Sequence, residues 1–283
     1  MSGAFDSFPT NRRQMLTNYD LIMNAVSERQ RDNMEGQLDL FGGSSDSSES
    51  ENLPIPYAEE YPKAKLLEME KETLGTYISG HPLSVYSAWL PACGASAIKK
   101  ILDGCAELSA KYTEGSEVAI FAILRSKRMI TTKKNQQMCF TRFEDVSADM
   151  EVIVFPKVYE SARGVLSENA ALFVSGKISI KEEEEPKILA DRIIPAQEYI
   201  SQLDSTPICV RLSSTDKDKV ESLRRLCSEH TGLQASKLYA YLTDLGKLTL
   251  IKGASSLVID SDSLSQLYKI CGAENVRFKL EKK

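Results

Sequence analysis

Residues able to do chemistry are scattered thinly along the chain. There are two histidines, His81 and His230, too few for an imidazole-rich metal cluster. His81 sits in "SGHPL" with no carboxylate or cysteine cluster around it, so a turn is favoured over a ligand or acid–base role. The six cysteines (Cys93, Cys105, Cys139, Cys209, Cys227, Cys271) form no C-x-x-C pair, which reads as reduced thiols in a cytoplasmic protein and not as a zinc site or disulfide frame. Glu144 and Asp145 are adjacent, so on a strand they point to opposite faces and cannot share a metal. The run Glu182 to Glu185 reads as a solvated hairpin tip, because like charges repel. No glycine-rich phosphate loop or nucleophile elbow occurs, and the residues assemble no active site.

Two patterns suit binding instead. The first is "QLDLF", Gln37, Leu38, Asp39, Leu40 and Phe41, an apolar island in a segment that otherwise cannot bury itself. Gln37 can hydrogen-bond backbone groups at a pocket rim, and Leu40 and Phe41 can fill an apolar cleft for about 1.5–3 kcal/mol each. The second is the cationic cluster Arg125, Lys127, Arg128, Lys133 and Lys134. From Ser116 to Pro195 the chain holds 12 Lys or Arg and 12 Asp or Glu, so this cluster is a local concentration in a balanced region. Such a stretch can track a phosphate backbone. Phe121, Phe140, Phe143 and Phe173 are open between base stacking and core.

The elements that must position these patterns follow from periodicity. The 283 residues allow about two ordinary domains, and no run is long and apolar enough to span a membrane. The start lacks a secretory pattern. The net charge of −5 argues against nonspecific nucleic-acid binding by the molecule as a whole. From Asn11 to about Arg31, Met15, Leu16, Tyr19, Ile22, Met23 and Val26 recur at helical spacing, with Thr10 or Asn11 as cap. This stripe needs a packing partner, and residues 1–10 read as the tail of an element that begins further upstream. Residues 32–58, with "GGSSDSSESENLPIP", have the composition of a flexible linker. A helix follows in "AEEYPKAKLLEMEKETLGTYI", with Leu66, Leu67, Met69, Leu74, Tyr77 and Ile78 inward, stopping at "SGHPL".

From Ser116 the period becomes two. "EVAIFAILRSKRMIT", "MCFTRFEDV", "DMEVIVF", "ALFVSGKISIK" and "KILADRIIP" give five strands, with the helix "PKVYESARGVL" between the third and fourth. That order is the plan of an OB-fold, a small barrel used to bind oligonucleotides. Beyond "AQEYISQLDSTP" the pattern is strand–helix–strand–strand–helix–strand, a small α+β unit whose helices carry Val220, Leu223, Leu226, Leu264 and Leu267 as core. The expected class is therefore multidomain α+β. A helical end occupies 1–31, a linker with the apolar pentapeptide 32–58, a helical connector 59–114, an OB-fold 115–196 and a C-terminal α+β domain 207–283.

"SGAFDSFPTNRRQML", "KETLGTYISGHPL", "FEDVSADMEVIVFPKVYE" and "LFVSGKISIKEEEEPKILADRI" resemble the C-terminal part of the bacterial DNA polymerase III alpha subunits. The resemblance covers about residues 2–195 and continues more weakly beyond. It implies that the phosphoesterase-like domain, the palm with its Mg2+-binding carboxylates, the thumb and most of the fingers would lie upstream of Met1. No position here matches the polymerase aspartates, so the chain alone would hold no cofactor and be catalytically silent. It further implies that Gln37 to Phe41 bind the sliding clamp (the beta subunit), that the OB-fold lies near single-stranded template, and that the tail domain binds the clamp-loader tau subunit. "TRFED" departs from the family's usual "LTLED" by placing Arg142 where a small polar residue is usual. A free-standing OB-fold single-stranded-DNA-binding accessory protein is the alternative, and an enzyme with an OB appendage is disfavoured for want of a catalytic motif.

Overall fold

The computed structural model describes residues 2–36, 55–107, 109–181, 184–204, 206–232 and 235–279. The chain divides into two compact units, Met1–Pro82 and Leu83–Lys283. The pentapeptide Gln37 to Phe41 lies outside the described residues.

The first unit is helical. Asn11 caps α1 (Arg12–Thr17), accepting from the backbone N–H of Gln14 at 2.7 Å. The single helix expected from Asn11 onward is two: α1 ends at Asn18, and α2 runs over Tyr19–Gly36. The Asn18 side chain explains the break, because its amide donates to the Gln14 carbonyl at 2.8 Å and to the Pro56 carbonyl at 3.2 Å. The apolar stripe is also less buried than its spacing predicts. Tyr19, Met23 and Val26 are exposed, and Tyr19 and Met23 line, with Phe5, Phe8 and Met15, a groove of about 870 Å3.

α3 (Lys63–Leu74) stops earlier than the expected "SGHPL". Gly75 adopts φ 72°, a left-handed conformation that ends the helix, and its N–H reaches back to the Lys71 carbonyl. Leu67 and Met69 are buried as expected, whereas Leu74 and Ile78 are exposed. The chain turns here because the fully buried Glu70 carboxylate accepts the N–H groups of Ile78 and Ser79 at 3.0 and 2.9 Å. His81 packs edge-on against the Tyr77 ring, centroids 5.0 Å apart, as part of this turn.

A 3-10 turn, Pro82–Tyr86, leads into the second unit, whose first helix is α4 (Ile98–Ala106). Five strands then close a barrel in the order β1-β2-β3-β5-β4: β1 (Glu117–Thr131), β2 (Gln137–Glu144), β3 (Asp149–Val154), β4 (Ala171–Ser179) and β5 (Lys187–Pro195). β3 and β5 pair in parallel, β4 closes on β1 antiparallel, and α5 (Pro156–Ala162) lies between β3 and β4. This is the OB-fold, with its five strands and helix in the expected order. Alternate residues of β1, namely Ile120, Ala122 and Leu124, fill the barrel together with Phe143, Val152, Val174 and Ile188. At Gly176, beside a bulge in β4, a Cβ would stand 2.1 Å from the Leu189 carbonyl oxygen of β5. Only glycine lets the two strands approach this closely.

After α6 (Ala196–Ser201), a second sheet is built from β6 (Ile208–Leu212), β7 (Ser236–Leu242), β8 (Lys247–Leu250) and β10 (Val276–Phe278), in the order β10-β6-β7-β8. The short β9 (Ser256–Leu257) also pairs with β7. The helices α7 (Lys217–Glu229) and α8 (Ser261–Cys271) contribute Leu223, Leu226, Leu264 and Leu267 to a core that the sheet covers from one side. Asp260 caps α8 in a reciprocal box with Ser263. The same core reaches the outer wall of the barrel, where Phe173 stacks on Tyr199 with centroids 3.7 Å apart and Phe121 stacks on Tyr86. Of the four phenylalanines left open between stacking and core, Phe121, Phe143 and Phe173 are thus buried. All six cysteines carry free thiols, and burial pushes the Cys93 thiol up to about 12.

Candidate nucleic-acid interface

β1 is longer than the barrel needs. Beyond an irregularity between Leu124 and Ser126, its last six residues pair with β2 alone and carry the hairpin that turns at Thr132 to Gln136. Asn135 takes φ 57° at this turn, a conformation that asparagine tolerates. Period two then sorts the cationic cluster. Lys127 lies opposite the buried Thr141 of β2, and Arg128 lies opposite Phe140, on the outer face.

The five cations therefore separate into two groups. Arg125 forms a two-pronged pair with Glu144, Nε to Oε2 at 2.7 Å and Nη2 to Oε1 at 3.1 Å, and also donates to Asn169 at 2.9 Å. The Lys127 ammonium donates to the Leu166 carbonyl at 2.6 Å, closing the loop before β4. Both side chains brace the barrel end. Arg128, Lys133 and Lys134 are exposed and, among the described residues, take part in no ion pair. The Arg128 guanidinium lies 5.5 Å from the ring centroid of the half-buried Phe140. The resulting surface is a projecting arm with three exposed cations and one ring at its root, a combination that suits phosphates and an unstacked base.

The opposite rim has the other sign. Glu184 pairs with Lys187 at 3.0 Å, and Glu185 lies 3.6 Å from Arg142. Arg142 also pairs with Asp149, and Lys187 with Glu151 at 3.3 Å. The hydrogen bond and charge of Asp149 hold the Arg142 guanidinium above its ordinary pKa, and Glu184 does the same for the Lys187 ammonium. Sequence reasoning read the glutamate run as solvated; Glu182 and Glu183 lie outside the described residues, and the other two are engaged with cations of the barrel face. Arg142 and Lys187 were not among the expected nucleic-acid contacts, and the sequence alone leaves Phe140 open between base stacking and core. The signal that could have found the first and last is alternation on β2: once Phe143 is inward, Phe140 and Arg142 are outward.

The neighbouring acids are structural. Glu144 holds Arg125, while Asp145 accepts the Ile98 N–H at 2.7 Å and so caps α4, for which Ala97 offers no side chain. The same carboxylate takes the N–H groups of Ser147 and Ala148, fixing the β2–β3 turn. Among the described residues no group of three or more His, Cys, Asp or Glu is placed to hold a metal ion. No helix among them is long and apolar enough to cross a membrane.

Comparison with known proteins matches residues 118–196 to a family described as an OB-fold nucleic acid binding domain. The alpha subunit of DNA polymerase III from Bacillus subtilis is 28% identical over 278 residues, covering 98% of this chain and 24% of that protein. The corresponding subunit of Borreliella burgdorferi is 29% identical over 283 residues, covering 97% of this chain and 24% of its own length. That of Saccharopolyspora erythraea is 29% identical over 241 residues, 82% of this chain. The chain thus spans about a quarter of the length of the curated relatives it matches. Since these alignments run well beyond the barrel into both flanking regions, the chain is related over nearly its whole length to a segment of the bacterial DNA polymerase III alpha subunits.

Proposed function

We propose that the chain acts as a non-catalytic, C-terminal part of a replicative DNA polymerase that holds the enzyme to its template and accessory proteins. The observation that carries the reading is the projecting β1–β2 arm of an OB barrel, where Arg128 stands against the Phe140 ring and Lys133 and Lys134 are exposed at the turn. Single-stranded DNA passes along this arm, its phosphates tracked by the three cations and a base resting on Phe140. The polymerase relatives support a replication setting, and the length of the alignments supports it over a free-standing accessory protein. Nucleotidyl transfer, with its Mg2+, belongs to the remainder of the longer relatives.

In the same reading Gln37, Leu38, Asp39, Leu40 and Phe41 dock on the sliding clamp, and the C-terminal α+β domain meets the clamp-loader tau subunit in the cytoplasm. The pentapeptide's composition supports the first: apolar side chains that nothing local in the sequence can bury are buried on a partner. Two measurements test the proposal. Replacing Gln37, Leu40 and Phe41 by Ala should abolish capture by immobilised clamp, and unchanged capture overturns the clamp assignment. Replacing Arg128, Lys133 and Lys134 by Ala should weaken binding to labelled oligo-dT in a salt-dependent manner; unchanged affinity overturns the barrel assignment.

A further inference from the structure

The C-terminal sheet has helices on one face only. Ile208, Val210, Leu238, Ala240, Val276 and Phe278 point into the core shared with α7 and α8. The alternate residues face the other way. On β7 these are Lys237, Tyr239 and Tyr241; Arg211 of β6 lies beside Tyr241, and Leu250 and Leu248 of β8 lie beside Tyr239 and Tyr241. Tyr241, Leu248 and Leu250 are 38%, 37% and 46% exposed. Lys279, just past β10, holds its ammonium 5.6 Å from the Tyr239 ring centroid. Among the described residues no acidic side chain occupies a strand position on this face.

We propose that this open face is a second platform for single-stranded nucleic acid, on which Tyr239 and Tyr241 stack bases while Arg211, Lys237 and Lys279 hold phosphates. The rings stand two residues apart on one strand, about 6.6 Å along it. Each ring has a cation at its side, Lys279 with Tyr239 and Arg211 with Tyr241. A ring–cation pair repeated at the strand pitch matches the repeating base–phosphate unit of an extended polynucleotide, and among the described residues no acid at a strand position of this face opposes it. An acidic peptide would use the cations but not the regular spacing of the rings. Leu248 and Leu250 extend the apolar floor beside the rings. This platform is separate from the barrel arm and does not depend on the arm's assignment.

The test uses the full chain, with and without Arg128→Ala, Lys133→Ala and Lys134→Ala, and fluorescein-labelled oligo-dT followed by anisotropy. In both backgrounds Tyr241→Ala should weaken binding roughly tenfold, the loss of one stacked base. Tyr241→Phe should retain affinity because the ring remains, and Arg211→Glu should weaken binding at low salt. Tyr241 and Arg211 are surface positions, so all three variants keep the core intact. Wild-type affinity of Tyr241→Ala and Arg211→Glu overturns the proposal. So does loss of oligo-dT binding by the barrel triple variant alone, and so does an effect confined to capture of a poly-glutamate peptide, which would make the face a protein-docking surface.

Discussion

Arg12 and Glu70, 58 positions apart, form a buried ion pair with Nη2 2.8 Å from Oε1. Arg12 also grips Asp6, and Glu70 gathers the backbone N–H groups of Ile78 and Ser79 and the Ser79 hydroxyl. The segments "SGAFDSFPTNRRQML" and "KETLGTYISGHPL" are therefore one cluster: the first supplies the guanidinium, and the second the carboxylate with the turn folded around it.

The joint predicts a large cost on breaking. Glu70→Gln leaves the Arg12 charge to the half-exposed Asp6 and replaces the carboxylate that gathers the Ile78 and Ser79 N–H groups, a cost toward the lower end of the about 3–5 kcal/mol of a broken buried pair. Urea unfolding followed by hydrogen exchange over residues 2–82 should show this loss confined to the first unit. Replacing Asp6, whose side chain is half exposed, should cost far less.

The same carboxyl sets an acid limit. Burial opposes its ionisation, but the Ser79 hydroxyl and N–H, Arg12 and the Ile78 N–H outweigh burial and hold it down at about 2. A carboxyl whose pKa is depressed on folding stabilises above its unfolded pKa, ordinarily 4.5, and that stability is lost as pH falls toward the folded value. The first unit should therefore lose on the order of 3 kcal/mol between about pH 5 and pH 2. Glu70→Gln should flatten this part of the profile, as read by circular dichroism against pH.

On the barrel, the prediction separates cations that were one cluster in the sequence. Arg128→Ala, Lys133→Ala and Lys134→Ala should each lower the slope of log affinity for oligo-dT against log salt by up to about 0.7, without altering stability. Arg125→Ala should leave the slope unchanged and destabilise the barrel, because it removes the two-pronged pair with Glu144 and the tie to Asn169. Sequence could not make this division: Arg125 and Lys127 are engaged by residues 19, 44 and 39 positions away. The strands themselves were legible as apolar runs bounded by polar turns, and β1 runs over the span expected. Its burial is nevertheless continuous from Ile120 to Leu124, because its inner face fills the barrel while Phe121 on the other face joins the second core. The end of α3 was not, because the Glu70 carboxylate that captures Ile78 and Ser79 acts across a turn without periodicity. The stripe on α1 and α2 announced an apolar face but not how much of it this chain would cover.

Gly176 makes a sharper demand on the barrel than any charge. A methyl group there would meet the Leu189 carbonyl oxygen and the Ile188 side chain at the β4–β5 seam. Backbone cannot retreat as a long side chain can, so Gly176→Ala should cost about 1–3 kcal/mol. The adjacent Lys177→Ala, on an exposed side chain, should be near neutral. Thermal unfolding of the two variants makes the comparison.

The acidic rim is expected to work against DNA. Glu184 and Glu185 occupy Lys187 and Arg142, cations on the same outer wall as Phe140, and their negative charge faces any strand that follows the arm across β2 and β3. Removing that charge returns two cations to the surface and removes a repulsion. Both effects act through solvent and are screened by salt. Glu184→Gln with Glu185→Gln should tighten oligo-dT binding severalfold at low ionic strength, with the gain vanishing as salt rises. Each ion pair is exposed and screened, so stability should be nearly unchanged. Anisotropy titrations across a salt series, set beside a denaturation midpoint, separate this electrostatic gate from a change in the barrel itself. Unchanged affinity at low salt would mean that DNA does not cross this rim.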